Sequence, residues 1–180
     1  KCSELIGWNC IQRRNIATLE ALRAGADIIV TIDDDNIPMS PEYFLDWWRV
    51  LGVHSGLELA ATDRWINHSL MLKPSVRHRG LPRNVRSVGA FARSVINRKV
   101  GVATGAVLGD PDIDAIERIQ REPYVYGATD LMRTGVTSYP QAWTVFNSQN
   151  TAFLRKFAPA MFMLPGVGRM DDILASLICQ

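Results

Sequence analysis

Ile28-Ile29-Val30-Thr31-Ile32-Asp33-Asp34-Asp35 is the stretch on which the reading of the fold turns. Its first five residues are apolar or β-branched, short and bounded by polar sequence, which predicts a buried strand over 27–32. Three like charges follow at once. They repel one another, and burying them without a counter-charge costs several kcal/mol. Side chains at i and i+2 of an extended segment share a face, so Asp33 and Asp35 are expected to address one site and Asp34 another. Two explanations stand: a divalent cation held by hard carboxylate oxygens, or a solvated acidic turn that leads into the next helix.

Working outward, residues 9–24 carry apolar positions at three- to five-residue steps, with Arg13, Arg14, Glu20 and Arg23 between them. This predicts a helix stopped by Gly25. Helix followed directly by strand is the signature of an α/β chain. Beyond the aspartates, Ser40, Pro41 and Glu42 suit the cap and first turn of a helix over 41–51. Its aromatic residues Tyr43, Phe44, Trp47 and Trp48 are expected in the core. Further strands are expected at 57–62, 100–108 and 142–146, a helix at 112–121, and a strand running into a short helix over 151–157. The segment 124–140 is ambiguous. A last amphipathic helix begins at Asp171 and Asp172. The expected architecture is a single α/β domain, with a mostly parallel sheet flanked by helices and a cleft at the carboxyl ends of the strands.

The chain has 180 residues, 47% of them hydrophobic, and a formal net charge of +2. Such a length supports one sizeable core. The charge points to neither nucleic acid nor membrane, and no apolar run is long enough for a transmembrane helix. Cys2, Cys10 and Cys179 are odd in number and lack CxxC spacing. They argue against a disulfide framework or structural zinc, and for a reducing, cytoplasmic setting. The chain begins at Lys1, so a processed or truncated start is expected.

Charge is uneven along the chain. Residues 64–99 are rich in arginine and lysine and nearly free of acid after Asp63. This is either an anion-binding region, whose arginine forks match phosphate oxygens, or a solvated loop. Aromatic residues are too sparse there for nucleic acid. His54, His68 and His78 lack metal-ligand spacing and read as solvated. Ser148 and Thr104 have no evident His/Asp companions, and there is no GxxxxGK[ST] loop. Asp171 and Asp172 have two readings as well. They cap their helix and complement its dipole, or one of them lines the same cleft as Asp33–Asp35, as base or as partner to positive charge at a sugar carbon.

Four further features occur in order: Arg13-Arg14-Asn15 ahead of the TIDDD strand end, Arg79-Gly80-Leu81-Pro82 with Arg86 after it, Gly105 to Asp114 ending Pro-Asp-Ile-Asp, and Asn150-Thr151-Ala152-Phe153 followed by Arg169-Met170-Asp171-Asp172. Together they resemble the GT-A-fold nucleotide-sugar glycosyltransferases. They are most similar to the plant reversibly glycosylated polypeptides, which include UDP-arabinopyranose mutases. The patches span about residues 12–175. Leu81 stands where that family has an aromatic residue, Asn36 where it has Cys, and Met170 where it has Tyr.

The resemblance implies a GT-A-like, Rossmann-like domain and a metal-dependent glycosyltransferase. The donor would be a nucleotide-diphosphate sugar, UDP-sugar first, with Mn²⁺ or Mg²⁺ as cofactor. Asp33 and Asp35 would hold the metal. Arg14, Asp33, Asp34 and Arg79 would bind the nucleotide or its phosphates. Asp171, Asp172 and Arg86 would act at the sugar. The acceptor is left open, and a homo-oligomer is compatible. The first nucleotide-binding strand of such a domain has no counterpart in the sequence unless residues 1–8 are its remnant. Alternatives are a pyranose/furanose mutase of the same family, a two-metal phosphoryl hydrolase, and a non-catalytic partner subunit. The hydrolase lacks a third acidic or histidine cluster.

Overall fold

The computed structural model describes residues 2–85, 91–122 and 124–180. In chain order the elements are α1 (Cys2–Ile6), α2 (Arg13–Arg23), β1 (Ile28–Ile32), α3 (Tyr43–Val50), β2 (Gly52–Ala60), β3 (Trp65–Ile66), β4 (Leu72–Lys73), β5 (Phe91–Val100), β6 (Val102–Thr104), α4 (Ala115–Gln120), β7 (Gly127–Ala128), α5 (Asp130–Thr134), β8 (Val136–Ser138), β9 (Trp143–Thr144), β10 (Asn150–Leu154) and α6 (Asp171–Ile178). Short 3₁₀ turns occupy His68–Met71, Arg155–Met161 and Gly168–Met170.

Helix α2 ends as the sequence leads one to expect. Gly25 adopts φ +83°, its amide donates to the Leu22 carbonyl, and the Ala26 amide donates to Ala21. This is the glycine-terminated helix end that leaves the chain free to enter β1. Strand β1 forms as expected, but it pairs antiparallel with β10, and β10 pairs antiparallel with β6. The other sheets are β5–β2–β8, β3–β9 and β4–β7. Among the described residues, parallel pairing is confined to β2 with β8 and β3 with β9.

The expected GT-A-like, mostly parallel sheet is therefore overturned: the chain is a mixed α/β fold of several small antiparallel and mixed sheets. Parallel neighbours need a long crossover, usually a helix that covers the sheet. Among the described residues, the helices after α2 have eight residues or fewer. The apolar run expected as one strand over 100–108 is divided: Val100 ends β5, Val102–Thr104 form β6, and residues 105–108 are irregular. Residues 91–100, read as part of a basic loop, instead form a ten-residue strand against β2.

The three-stranded sheet that begins with β1 is covered on both faces. Ile29 packs with Phe146, Phe153, Ala158 and Met161 beneath Ala21 and Leu22 of α2. Ile28 and Val30 pack on the other face with Trp47, Leu51 and Ala152. The aromatic face of α3 divides: Trp47 is 7% exposed, whereas Phe44 and Trp48 are 68% and 67% exposed. Only the helix side turned to the sheet is core, which corrects the expectation that all four aromatic residues are buried.

On the second sheet, Glu58 is wholly buried between Arg93 and Arg98 of the neighbouring strand. A buried carboxylate is tolerable when cations and hydrogen bonds surround it.

Candidate functional site

Asp33 leaves the end of β1 with its amide donating to the Gln149 carbonyl at 3.1 Å. Its carboxylate forms an ion pair with Arg14 of α2. Arg14 also donates to the Ser148 carbonyl at 2.7 Å, and Asn36 donates to the Gln149 carbonyl at 2.9 Å. Asp34 and Asp35 are exposed. The acidic cluster is thus solvated on its outer side, with Asp33 alone drawn inward by an arginine.

The second acidic cluster lies deeper. Asp171 and Asp172 are 2% and 6% exposed at the start of α6. Asp172 accepts its helix's Ile173 amide at 2.8 Å and Arg79 Nη2 at 2.9 Å. Asp172 thus lies in the first turn of α6, whose N-cap residue is Met170, and pairs with an arginine from a distant segment. Asp171 accepts the Asp172 amide at 2.9 Å and Gln12 Nε2 at 3.4 Å.

Arg79 spans two carboxylates. Its Nε lies 2.8 Å from each oxygen of Asp112, Nη2 reaches Asp172, and Nη1 donates to the Arg169 carbonyl. All of its guanidinium nitrogens are engaged, and in this arrangement the arginine orients two carboxylates. Asp112 was not singled out on its own in the sequence, although it lies in the Pro-Asp-Ile-Asp patch. The chain brings it in by pairing residues 77–79 with 112–114: Arg79 N donates to Asp112 O at 3.3 Å, and Asp114 N donates to Arg77 O at 2.8 Å. Burial pushes the Asp112 carboxyl up. Hydrogen bonds from Arg79 and Asn147 and the charge of Arg79 outweigh that and hold it below the ordinary carboxylate value.

Gly80 makes the close approach possible. It has φ +89°, and a Cβ there would lie 2.5 Å from Cγ2 of Ile173 on α6. No side chain fits between this turn and the helix that carries Asp172.

The segment Asn147–Gln149, just before β10, joins the two clusters. The Ser148 carbonyl holds Arg14, and its amide and hydroxyl donate to Asp172 Oδ2 at 3.3 and 3.4 Å. Asn147 Nδ2 donates to Asp112 at 2.9 Å, and Asn147 Oδ1 accepts the Gln149 amide at 3.1 Å. One continuous polar path therefore runs from Asp33 through Arg14 and Ser148 to Asp172, Arg79 and Asp112. In the sequence Asn147 carries no signal of its own, and Ser148 only that of a hydroxyl without evident His/Asp companions. Arg86, the remaining expected site residue, lies outside the described residues.

A small polar cavity adjoins this path, lined by His68, His78, Thr104, Asp112, Asn147 and Gln149 among others. His78 is 4% exposed, and its Nδ1 lies 2.7 Å from the Arg79 carbonyl. The His68 and His78 ring centroids are 4.7 Å apart. Burial, and next the neighbouring His78, push His68 down to about 3. Burial also lowers His78. Both rings are neutral at pH 7; His78 is buried and His68 is half-buried with its Nδ1 enclosed, so neither is a solvated loop histidine.

Among the described residues, no group of three or more His, Cys, Asp or Glu side chains is arranged to hold a metal. The donor chemistry at the end of β1 still fits a hard cation. Mg²⁺ and Mn²⁺ commonly take one or two carboxylates and complete their shell with phosphate oxygens and water. Asp33 and Asp35 are the residues that would hold such an ion. Among the described residues, no helix is long and apolar enough to cross a membrane. No protein-family model matches the chain, and no curated protein matches it.

Proposed function

We propose that this chain is a metal-dependent glycosyltransferase that takes its sugar from a nucleotide-diphosphate donor, UDP-sugar first among them. The observation that carries the reading is the Asn147–Gln149 bridge, which joins a solvated carboxylate cluster to a buried one through Arg14. Loss of a sugar from its diphosphate develops negative charge on the leaving group and positive charge at the anomeric carbon. A site for it needs cationic help at one end and a fixed carboxylate at the other.

A divalent cation held by Asp33 and Asp35 would supply electrostatic stabilisation of the departing diphosphate. Arg14, ion-paired with Asp33, would turn to a phosphate oxygen. Asp172 is held by Arg79 and the Ser148 amide, so its free-energy cost of ordering is met before substrate arrives. That fixed carboxylate would face the sugar. The odd cysteine count, with Cys10 and Cys179 both free thiols, accords with a cytoplasmic setting.

A thermal-shift panel of UDP, GDP, CDP, TDP and ADP, each with Mn²⁺, Mg²⁺ or EDTA, tests the reading. Ligands that bind the native state raise its melting temperature by mass action. A metal-dependent shift with one nucleotide, lost in Asp33→Ala and Asp35→Ala, is expected. Equal melting temperatures across the whole panel, in protein shown to be folded, would refute it.

A further inference from the structure

The outer edge of β1 has an arrangement that the proposed chemistry does not use. Among the described residues, strand β1 is hydrogen-bonded to β10 on one side only. The Arg155 amide donates to Asp27 O at 2.8 Å, and the Asp33 amide donates to Gln149 O at 3.1 Å. Hydrogen-bonded pairs alternate in an antiparallel ladder, so residues 27, 29, 31 and 33 turn their backbone groups toward β10. The N–H and C=O groups of Ile28, Val30 and Ile32 consequently point the other way. Among the described residues they have no hydrogen-bond partner.

Beside this edge runs a groove of about 300 Å³, lined by Arg14, Ala17, Thr18 and Ala21 of α2 and by the strand itself. The facing helix positions are small, which leaves room next to the strand. The strand itself has none of the usual protections of an edge: no lysine, no proline, no bulge and no charge between Ile28 and Ile32. Three outward backbone pairs at two-residue spacing match the repeat of an extended chain. A small ligand would use one such pair and leave the others unmet.

Charge selects among possible strands. Acids bracket the edge, Asp27 at one end and Asp33–Asp35 at the other. A second copy pairing antiparallel about Val30 would set Asp27 of one chain against Asp33–Asp35 of the other, with Arg14 offsetting one charge. A strand with a basic residue at each end meets acid at both.

We propose that the free edge of β1 is a docking site for an extended segment of a partner polypeptide, about five uncharged β-branched residues flanked by basic ones, which adds as a fourth strand beside β10–β1. Main-chain hydrogen bonds supply the affinity, and the small α2 wall and the acidic ends supply the selection. The site shares Arg14 and Asp33–Asp35 with the proposed donor site, but its main-chain hydrogen bonds do not depend on the glycosyl-transfer reading.

The test is fluorescence anisotropy with the full chain and a labelled peptide, Lys-Val-Thr-Val-Thr-Val-Lys. Two derivatives carry N-methyl groups on alternate amides, in complementary sets. One derivative is expected to bind at least tenfold more weakly than the parent and the other within about threefold, because only one set of amides faces β1. Replacing both lysines by glutamate is expected to weaken binding at least tenfold. Val30→Pro removes an outward N–H at an edge position where proline is tolerated, and is expected to weaken binding at least tenfold with an unchanged circular dichroism spectrum. Absence of binding by the parent peptide overturns the proposal, as does equal binding of both N-methyl derivatives or of the glutamate peptide. A dimer in sedimentation that Val30→Pro dissociates would give the edge to a second copy and overturn it too.

Discussion

Arg79 and Asp172 meet at 2.9 Å although they lie on opposite sides of β5, β6 and β10 in the sequence. The same guanidinium holds Asp112, so one arginine answers two largely buried carboxylates. Removing it as Arg79→Met leaves both without their cation. A loss of roughly 3–5 kcal/mol in unfolding free energy is expected, because breaking a buried pair from one side strands the other charge. Arg79→Lys keeps the charge and loses the fork, and should fall between. Urea denaturation of the three proteins measures this.

The pair at the other end of the path behaves differently. Asp33 and Arg14 are each about a third exposed on their side chains, and solvent screens what they gain. Asp33→Asn is expected to change stability by about 1 kcal/mol or less while removing the metal-dependent nucleotide shift. A large fall in the urea midpoint together with the lost shift would mean that Asp33 serves the scaffold.

Acid should destabilise the chain through His68. Its folded value of about 3 lies below the ordinary 6.5, so the unfolded state binds the proton first as pH falls. Stability from this residue is whole above about pH 6.5 and declines through the interval down to about pH 3. The depressed Asp112 acts in the same sense at the acid end, its contribution being lost as pH falls through its lowered folded value. His68→Asn is expected to flatten the stability curve between pH 6.5 and 4 without abolishing the slope, since buried His78 remains. Urea midpoints at four pH values give the comparison.

Gly80→Ala combines a left-handed backbone with a Cβ set against Ile173. Both costs fall on the turn that carries Arg79. A loss of about 2 kcal/mol or more is expected, with a greater effect on nucleotide binding than on helical circular dichroism, because the N-terminus of α6 must shift before the helix unfolds.

Trp47 and Trp48 separate core from surface on one helix. Trp47→Ala should cost about 3–5 kcal/mol by emptying the space beneath α3, whereas Trp48→Ala should stay within about 0.5 kcal/mol. Similar losses for both variants would show that Trp48 is covered in solution.

Much of the local structure was legible in the residues themselves. The stop at Gly25, the strand at Ile28–Ile32 and the helix that opens on Asp171-Asp172 follow from backbone preference, β-branching and dipole complementarity, all of which act over a few residues. Both acidic clusters were visible for the same reason. The direction in which β1 is paired was not. Antiparallel and parallel neighbours present the same apolar alternation to a single strand, and the choice rests on what the intervening helices are long enough to cover.

The same division holds for the site. Asp33, Arg14, Asp171 and Asp172 announce themselves as charges in apolar surroundings. Asp112, Asn147 and Ser148 gain their roles only when residues 77–79 lie against 112–114 and when β10 lies against β1. His78 and Trp48 illustrate the limit from both directions: a polar ring is buried and a large apolar ring is exposed. A residue's type sets what its burial costs. Which residues meet that cost is decided by the packing of segments far apart in the chain, where long-range contacts outweigh local preference.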